Sequence, residues 1–567
     1  MLFRSIERRR AEGKLDRLAE RLAHEPLAGT TGIGHTRWAT HGVPNETNAH
    51  PHATSRVAVV HNGIIENFQA LRRELEAQGR KFETDTDTEV VAHLLTSLLD
   101  SGLAPERAMA AAMKRLEGAF AIAVLVAGRN DLMLAARHGA PLAVGYGEGE
   151  MYVGSDAMAL APLTRRIAYL EDGDWAVVSP TGAAIFARDG HAAERAIRET
   201  AYSGALVGKG NYHHFMHKEI HEQPAVIGDT LRAFVNPATS RVALPLDAKL
   251  LARASKLTIV ACGTSYHSGL VAKYWIEQLA RLPVEIDIAS EFRYRDPVLG
   301  PDTLTIAVSQ SGETIDTLEA ARHAREQGSR VLAVTNTVGS SLAREADAVL
   351  YTHAGPEVSV ASTKTFATQM VALHLVSLYL AQARGSMEPS VVRAALDDLA
   401  ALPVAVERAI ALEPAVRAVA ASLRDARGVL FLGRHVGYPS ALEGALKLKE
   451  VSYLHAEGYP AGELKHGPIA LVEPGLPVVV VATSSPVLGK VVSNVQEVRA
   501  RGARVIAVVT EGEGRLDDLA DDLLEVPAVP DLLAPVVVAP PLQLLAYHAA
   551  LARGCDVDRP QIGRAHV

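Results

Sequence analysis

The sequence predicts an α+β domain rich in antiparallel strands, followed by two doubly wound α/β domains. Three observations carry this expectation. The chain has 567 residues, more than one core organises, so two to four domains are expected. Whole elements recur at a fixed spacing in the second half of the chain. The texture also changes near residue 200, from short strands with turns between them to apolar runs alternating with helices, the pattern of parallel sheets covered on both faces.

Taken in order, residues 57–60, 119–126, 151–153 and 175–178 read as short strands, with helices near 68–78 and 88–99 interleaved. Residues 180–210 hold Gly, Ala and Ser without clear periodicity and read as the linker zone. The repeat lies beyond it. Residues 257–261 run into Cys262-Gly263 as 429–432 run into Gly433. The β-rich run 304–309 precedes a helical stretch and 328–335, as 478–483 precedes a helical stretch and 502–508. Ser309 to Gly328 and Thr483 to Gly502 both span 19 residues. Residues of roughly 250–385 and 420–558 therefore form two similar domains.

Composition narrows the class. Hydrophobic residues at 48% and charged residues at 22% suit a globular protein. A net charge of −8 with no long basic run argues against a nucleic-acid partner. Two cysteines, Cys262 and Cys555, allow neither a disulfide framework nor a cysteine metal site, which fits a reducing cytoplasm. The apolar runs, such as 477–482, read as too short to span a bilayer, and no apolar leader follows Met1. No membrane is expected.

Ser309-Gln310-Ser311-Gly312-Glu313-Thr314 joins a buried strand to a helix, where ligands bind in open α/β sheets. Hydroxyls, a glycine and free backbone N–H groups at a helix N-terminus suit a phosphate. An ordinary capping turn needs only one such hydroxyl. The second copy, Thr483-Ser484-Ser485-Pro486, lacks the Gly-Glu-Thr half, so the phosphate is expected in the first copy only. Cys262-Gly263-Thr264-Ser265 is a further, weaker hydroxyl turn. Glu443, Lys447 and Glu450 share one helical face, followed by the Glu463, Lys465 and His466 loop. Such a group moves protons between adjacent sugar carbons, although spacing alone leaves a solvated ion-pair stripe equally open.

Near the start, Arg37 is placed to hold a substrate carboxylate by a bidentate fork, Asn62 with the Gly63 N–H to stabilise an oxyanion, and Asp87 to receive an amino group. Each taken singly also reads as turn chemistry. His213, His217 and His221 stand at i, i+4 and i+8; without a cysteine or a clear carboxylate partner they read as solvated, and no metal is expected.

In order along the chain, HTRWATHG, HNGIIEN, TDTEV, KEIHEQP, ACGTSYHSG, SQSGET, VASTK, ALEGALKLKE and AGELKHGP resemble the bacterial isomerizing glutamine–fructose-6-phosphate aminotransferases from about Gly29 to Pro560. The resemblance implies a class II glutaminase domain of Ntn-hydrolase fold (1–200), a linker (201–248), a first sugar isomerase (SIS) domain (249–388), a helical linker (389–419) and a second SIS domain (420–560). It implies glutamine and fructose 6-phosphate as substrates, an ammonia channel, no cofactor and a homodimer. By resemblance Arg37, Trp38, Thr40, His41, Gly63 and Asp87 bind glutamine, Asn62 and Gly63 form the oxyanion hole, and Trp38 gates the channel. Thr264, Ser265, Ser309, Gln310, Ser311, Thr314, Val360 and Ser362 hold the sugar phosphate. Glu450 shuttles the proton between C1 and C2 beside Lys447, and His466 assists ring opening, reaching into the partner subunit's site.

Two departures shape the expectation for activity. The family's nucleophile is a cysteine at the mature N-terminus, and its C-terminal tail carries a Schiff-base lysine; neither has a counterpart here. Residues 2–5 and 562–567 back-translate into strings resembling sequencing adaptors, so the chain is expected to be truncated at both ends, with 561–567 a non-native tail. Purified chain is then expected to release no ammonia from glutamine above background. A plain sugar-phosphate isomerase would leave HTRWATHG and HNGIIEN unexplained, and a sugar-phosphate sensor would have no use for Glu450 and His466.

Overall fold

The computed structural model describes residues 6–13, 15–37, 41–43, 45–199, 208–236, 241–245, 253–558 and 560. The chain divides into two compact units, one up to Gly208 and one from Lys209.

In the first unit a six-stranded antiparallel sheet runs His52–Ala53, Val57–Gly63, Phe120–Val126, Met133–His138, Trp175–Ser179 and Gly182–Phe186 in spatial order. Its central strand, Phe-Ala-Ile-Ala-Val-Leu-Val, is apolar on both faces because both faces are covered. Val57, Val59, Phe120, Ile122 and Val124 pack against the helices Thr88–Asp100 and Pro105–Met113. Ala121, Ala135, Ala176 and Val178 on the other face pack against a second sheet, formed by Arg198–Glu199, Arg166–Tyr169, Ala143–Tyr146 and Met151–Gly154. Small residues at that inter-sheet face let the two sheets approach closely.

The stretch read as a linker corrects the sequence expectation. Gly182–Phe186 pairs with Trp175–Ser179 and completes the large sheet, and Arg198–Glu199 pairs with Arg166–Tyr169. The Gly-Ala-Ala start of the former carries no strand propensity, and cross-strand pairing alone makes it a strand.

The second unit contains two five-stranded sheets, every pairing parallel. The first is ordered Val284–Ile288, Lys256–Ala261, Thr303–Ser309, Arg330–Thr335, Ala348–Tyr351; the second His455–Pro460, Gly428–Gly433, Pro477–Ala482, Arg504–Thr510, Asp522–Val526. Both follow the order 2-1-3-4-5, so the sequence repeat is also a topological one. One apolar cluster runs through both copies, built on the helices Phe215–Phe234, Lys364–Arg384, Pro389–Ile410 and Ala534–Ala552.

Two segments correct the reading of apolar runs. Lys364–Arg384 and Asp531–Ala552 are long and apolar enough to cross a bilayer by length and composition, yet 83% and 94% of their most apolar windows are buried within the protein. Scattered polar residues hid their length in the sequence. The helix Phe215–Phe234 begins after His213, so only His217 and His221 of the three spaced histidines share its face.

Candidate functional sites

In the first unit, His35, Arg37, His41, Asn62, Gly63 and Asp87 line a cavity of about 260 Å³ together with His50, His61, Ile64, Thr86 and Thr88. Trp38 and Thr40 lie outside the described residues. Gly63 ends its strand at φ +111°, opposite Phe120; a Cβ there would strike the Ala119 carbonyl, so no other residue fits. The Ile64 N–H donates to that same carbonyl at 2.7 Å, and Asp87 Oδ2 accepts the Ile65 N–H at 2.9 Å. Asp87 thereby holds the His61-to-Ile65 turn open. Its two oxygens also lie 3.9 Å from the Nδ1 atoms of His41 and His61.

Arg37 departs from the fork expected of it. Its guanidinium donates to the Val43 carbonyl (3.1 Å), the Gly42 carbonyl (2.9 Å) and the His41 carbonyl. It thus shapes the wall of the cavity through the backbone of residues 41–43. Sequence reasoning also missed Thr88, whose hydroxyl bridges His50 Nε2 (3.1 Å) and His61 Nδ1 (2.9 Å). The TDTEV motif contained it, but a helix-start threonine carries no local sign of such a role.

Burial pushes His35, His52 and His61 down to about 4, and His50 well below the usual imidazole value. These rings stay neutral in the fold while the unfolded chain takes up protons on them. Their contribution to stability is therefore intact above about pH 6.5 and is lost as the pH falls towards 4. Protection factors of the amides in the strand Val57–Gly63, corrected for the intrinsic exchange rate at each pH, should fall steeply across that window; constant protection factors from pH 7 to 4 would contradict the assignment.

In the second unit, the order 2-1-3-4-5 places the chain reversal between Lys256–Ala261 and Thr303–Ser309, which pair through Ala261 and Val308. The loops leaving these two strands therefore emerge side by side at the carboxyl edge, where such sheets bind ligands. Ser309 Oγ and Thr314 Oγ1 lie 2.9 Å apart, and Ser309 Oγ accepts the Gly312 N–H at 3.1 Å. Thr314 occupies the N-cap of the helix Ile315–Glu326 but makes no side-chain capping bond. An ordinary capping turn therefore does not account for the loop. Glu313 accepts the Ser341 N–H at 2.8 Å, and the Gly312 carbonyl accepts the Leu342 N–H at 3.0 Å, anchoring the loop to its neighbour.

Gly312, at φ +64°, lets that contact form: a Cβ would meet Ser340 Cβ at 2.6 Å and Thr335 Oγ1 at 2.9 Å. Gly312→Ala should cost about 1–3 kcal/mol of stability and lower sugar-phosphate affinity at least tenfold. Calorimetric titration against wild type checks this, and unchanged affinity would show that the loop does not hold the phosphate.

Glu443, Lys447 and Glu450 come from the helix Gly437–Ser452 of the second sheet, and the structure rejects the solvated-stripe alternative. Glu443 is 3% and Lys447 1% exposed. Lys447 Nζ lies 2.6 Å from Glu450 Oε2 and 3.4 Å from Glu443 Oε1. Glu443 reaches across to the first copy, accepting from the Thr264 hydroxyl at 3.1 Å and facing His267 Nδ1 at 2.7 Å. A continuous chain, Thr264–Glu443–Lys447–Glu450, thus links the hydroxyl loops of one copy to the acid–base helix of the other. Ser265 Oγ accepts from Gln369 at 3.0 Å. His466, itself exposed, ends the turn Ala461–His466, outside this network.

The loop carrying Val360 and Ser362 is held by two buried acids. Glu357 accepts the N–H groups of Thr363 (2.9 Å) and Thr365 (3.1 Å), and Glu219 those of Val358 (2.6 Å) and Ser359 (3.0 Å). Burial, with Glu357 nearby, pushes the Glu219 carboxyl up to about 8. Ser362 Oγ bonds Thr365 Oγ1 at 2.6 Å. Glu219 stood in KEIHEQP, yet nothing local showed that it would anchor a loop 140 residues away.

Fold and sites together define a glutamine amidotransferase domain joined to a pair of sugar isomerase domains. A glutamine amidotransferase domain model matches residues 35–162, and a SIS domain model matches 250–379 and 422–553. Over 562 residues the chain is 53% identical to a glutamine–fructose-6-phosphate aminotransferase (isomerizing) of Bradyrhizobium diazoefficiens, covering 98% of this chain and 92% of that protein. It is 51% identical over 557 residues to the Zymomonas mobilis protein of the same name, with the same coverage. The C-terminal domain of glucosamine-fructose-6-phosphate aminotransferase from Francisella tularensis superposes with a TM-score of 0.60 at 42% identity, over 62% of this chain and 99% of that one. The chain belongs to the isomerizing glutamine–fructose-6-phosphate aminotransferase family.

Proposed function

We propose that this protein binds glutamine and fructose 6-phosphate for the reaction that moves the amide nitrogen of glutamine onto the sugar phosphate and isomerises the adduct, yielding glucosamine 6-phosphate and glutamate in the cytoplasm, a reaction whose glutamine half is not expected of the 567-residue chain by itself. Water consumed in freeing ammonia is returned when the nitrogen displaces the ketone oxygen at C2, so the sum balances. The observation that carries this reading is the Thr264–Glu443–Lys447–Glu450 chain, which joins the hydroxyl turn beside the Ser309–Thr314 loop to the acid–base helix of the second copy.

In this reading Ser309, Gln310, Ser311 and Thr314 grip the phosphate with the N–H groups of the uncapped helix, and Thr264, Ser265, Val360 and Ser362 orient the sugar. Glu450 carries a proton from C1 to C2, with Lys447 Nζ holding its carboxylate in place at 2.6 Å. The cavity around Arg37, His41 and Asp87 receives glutamine, with Trp38 and Thr40 completing it, and Asn62 with the Gly63 N–H faces the developing oxyanion. His466, exposed in the single chain, serves the partner subunit's site in a homodimer. No cofactor takes part. Calorimetric titration should give one saturable site per chain for fructose 6-phosphate, none for fructose, and at least tenfold weaker binding in Ser311→Ala/Thr314→Val. Equal binding of fructose, or an unaffected variant, would overturn the assignment of the phosphate loop.

A further inference from the structure

The two histidines of the helix Phe215–Phe234 acquire in the fold the carboxylate that their sequence neighbourhood lacks. His217 Nε2 lies 3.0 Å from Glu413 Oε1, and His221 Nε2 lies 3.4 Å from Glu413 Oε2. Glu413 opens the helix Glu413–Ala421, 196 residues along the chain from His217. A third imidazole, His548 Nε2 from the helix Ala534–Ala552, lies 2.8 Å from Glu413 Oε1. One ligand atom each from His217, His221 and Glu413 falls within 4.8 Å of the others. A tetrahedral zinc ion with bonds of about 2.0–2.1 Å holds its ligand atoms roughly 3.3 Å apart, so small shifts suffice to admit it.

His221 Nδ1 donates to the His217 carbonyl at 2.9 Å, which leaves Nε2 as the ring atom that faces Glu413 Oε2 at 3.4 Å. A backbone carbonyl that fixes the tautomer is also the usual outer support of a metal-bound imidazole. Tyr547 stacks on His217 at 4.9 Å and Tyr212 meets it edge-on at 5.3 Å, so the ring is held in place. The side chains of His548, Glu413, His217 and His221 are 6%, 14%, 20% and 26% exposed, shielded yet within reach of solvent. Arg417 Nη2, 3.4 Å from Glu413 Oε1, competes for the carboxylate, but its side chain is 65% exposed and free to swing away.

We propose that His217, His221 and Glu413 form a structural zinc site with water as the fourth ligand and His548 supporting the Glu413 carboxylate, tying the helix that precedes the first SIS domain to two helices around the second. The test uses the whole chain, stripped with a chelator and titrated with Zn²⁺ against a chromophoric zinc indicator. One equivalent should bind at submicromolar Kd and raise Tm, and Co²⁺ should give the intense visible bands of a tetrahedral site. His221→Ala should weaken binding at least tenfold and abolish those bands. Arg417→Gln, an exposed change compatible with folding, should tighten binding several-fold. Absence of a tight equivalent, an octahedral cobalt spectrum, or zinc affinity indifferent to both substitutions overturns the proposal in favour of a proton shared by His221 and Glu413.

Discussion

Glu450→Gln should slow deuterium incorporation at C1 of fructose 6-phosphate by about 10²–10⁴-fold while leaving the affinity for the sugar phosphate within a few-fold of wild type. The two effects separate because Glu450 does not belong to the anion loop. Its carboxylate is held 2.6 Å from Lys447, whose ammonium is buried and cannot be replaced by water as partner. The amide of glutamine preserves size and the contact to Lys447 through its oxygen but accepts no proton from carbon. Proton NMR of the sugar in D2O reads the exchange without any need for glutamine turnover. Exchange at the wild-type rate would remove Glu450 from the mechanism, whereas loss of binding in parallel would make it a ligand of the sugar rather than its base.

Glu443→Ala should destabilise the second unit by about 3–5 kcal/mol, measured by urea denaturation. The substitution strips a buried acid from three partners at once: the Thr264 hydroxyl, His267 and Lys447. It leaves the Lys447 ammonium with a single carboxylate in a site closed to water, and it removes the bond that ties the helix of one copy to the loop of the other. Glu443→Gln, which keeps the shape and the acceptor for Thr264, should recover part of the loss. A change below about 1 kcal/mol in the alanine variant would show that the two copies are held by apolar packing alone.

Some of this was legible in the sequence. The spacing from Ser309 to Gly328 and from Thr483 to Gly502 announced the repeat, and the two sheets share one strand order. Strand-to-helix loops rich in hydroxyls are also local features, since turn chemistry and capping act over a few residues. Helical periodicity likewise put Glu443, Lys447 and Glu450 on one face.

Local pattern could not say what that face meets. Whether an acidic stripe faces water or a buried threonine 179 residues away depends on how two sheets pack, and packing is set by the summed apolar burial of the whole chain. Arg37, which local reading gave to a substrate, donates to the backbone carbonyls of residues 41–43, four to six residues along the chain. Gly182–Phe186 is a strand by virtue of its neighbour, and the carboxylate of His217 and His221 arrives from Glu413. Sequence alone determined the repeat, the order of most elements and which chemical groups their loops carry. Tertiary structure decided which of those groups meet, because contacts such as Thr264 with Glu443 and His217 with Glu413 join residues too distant in the chain for any local preference to connect them.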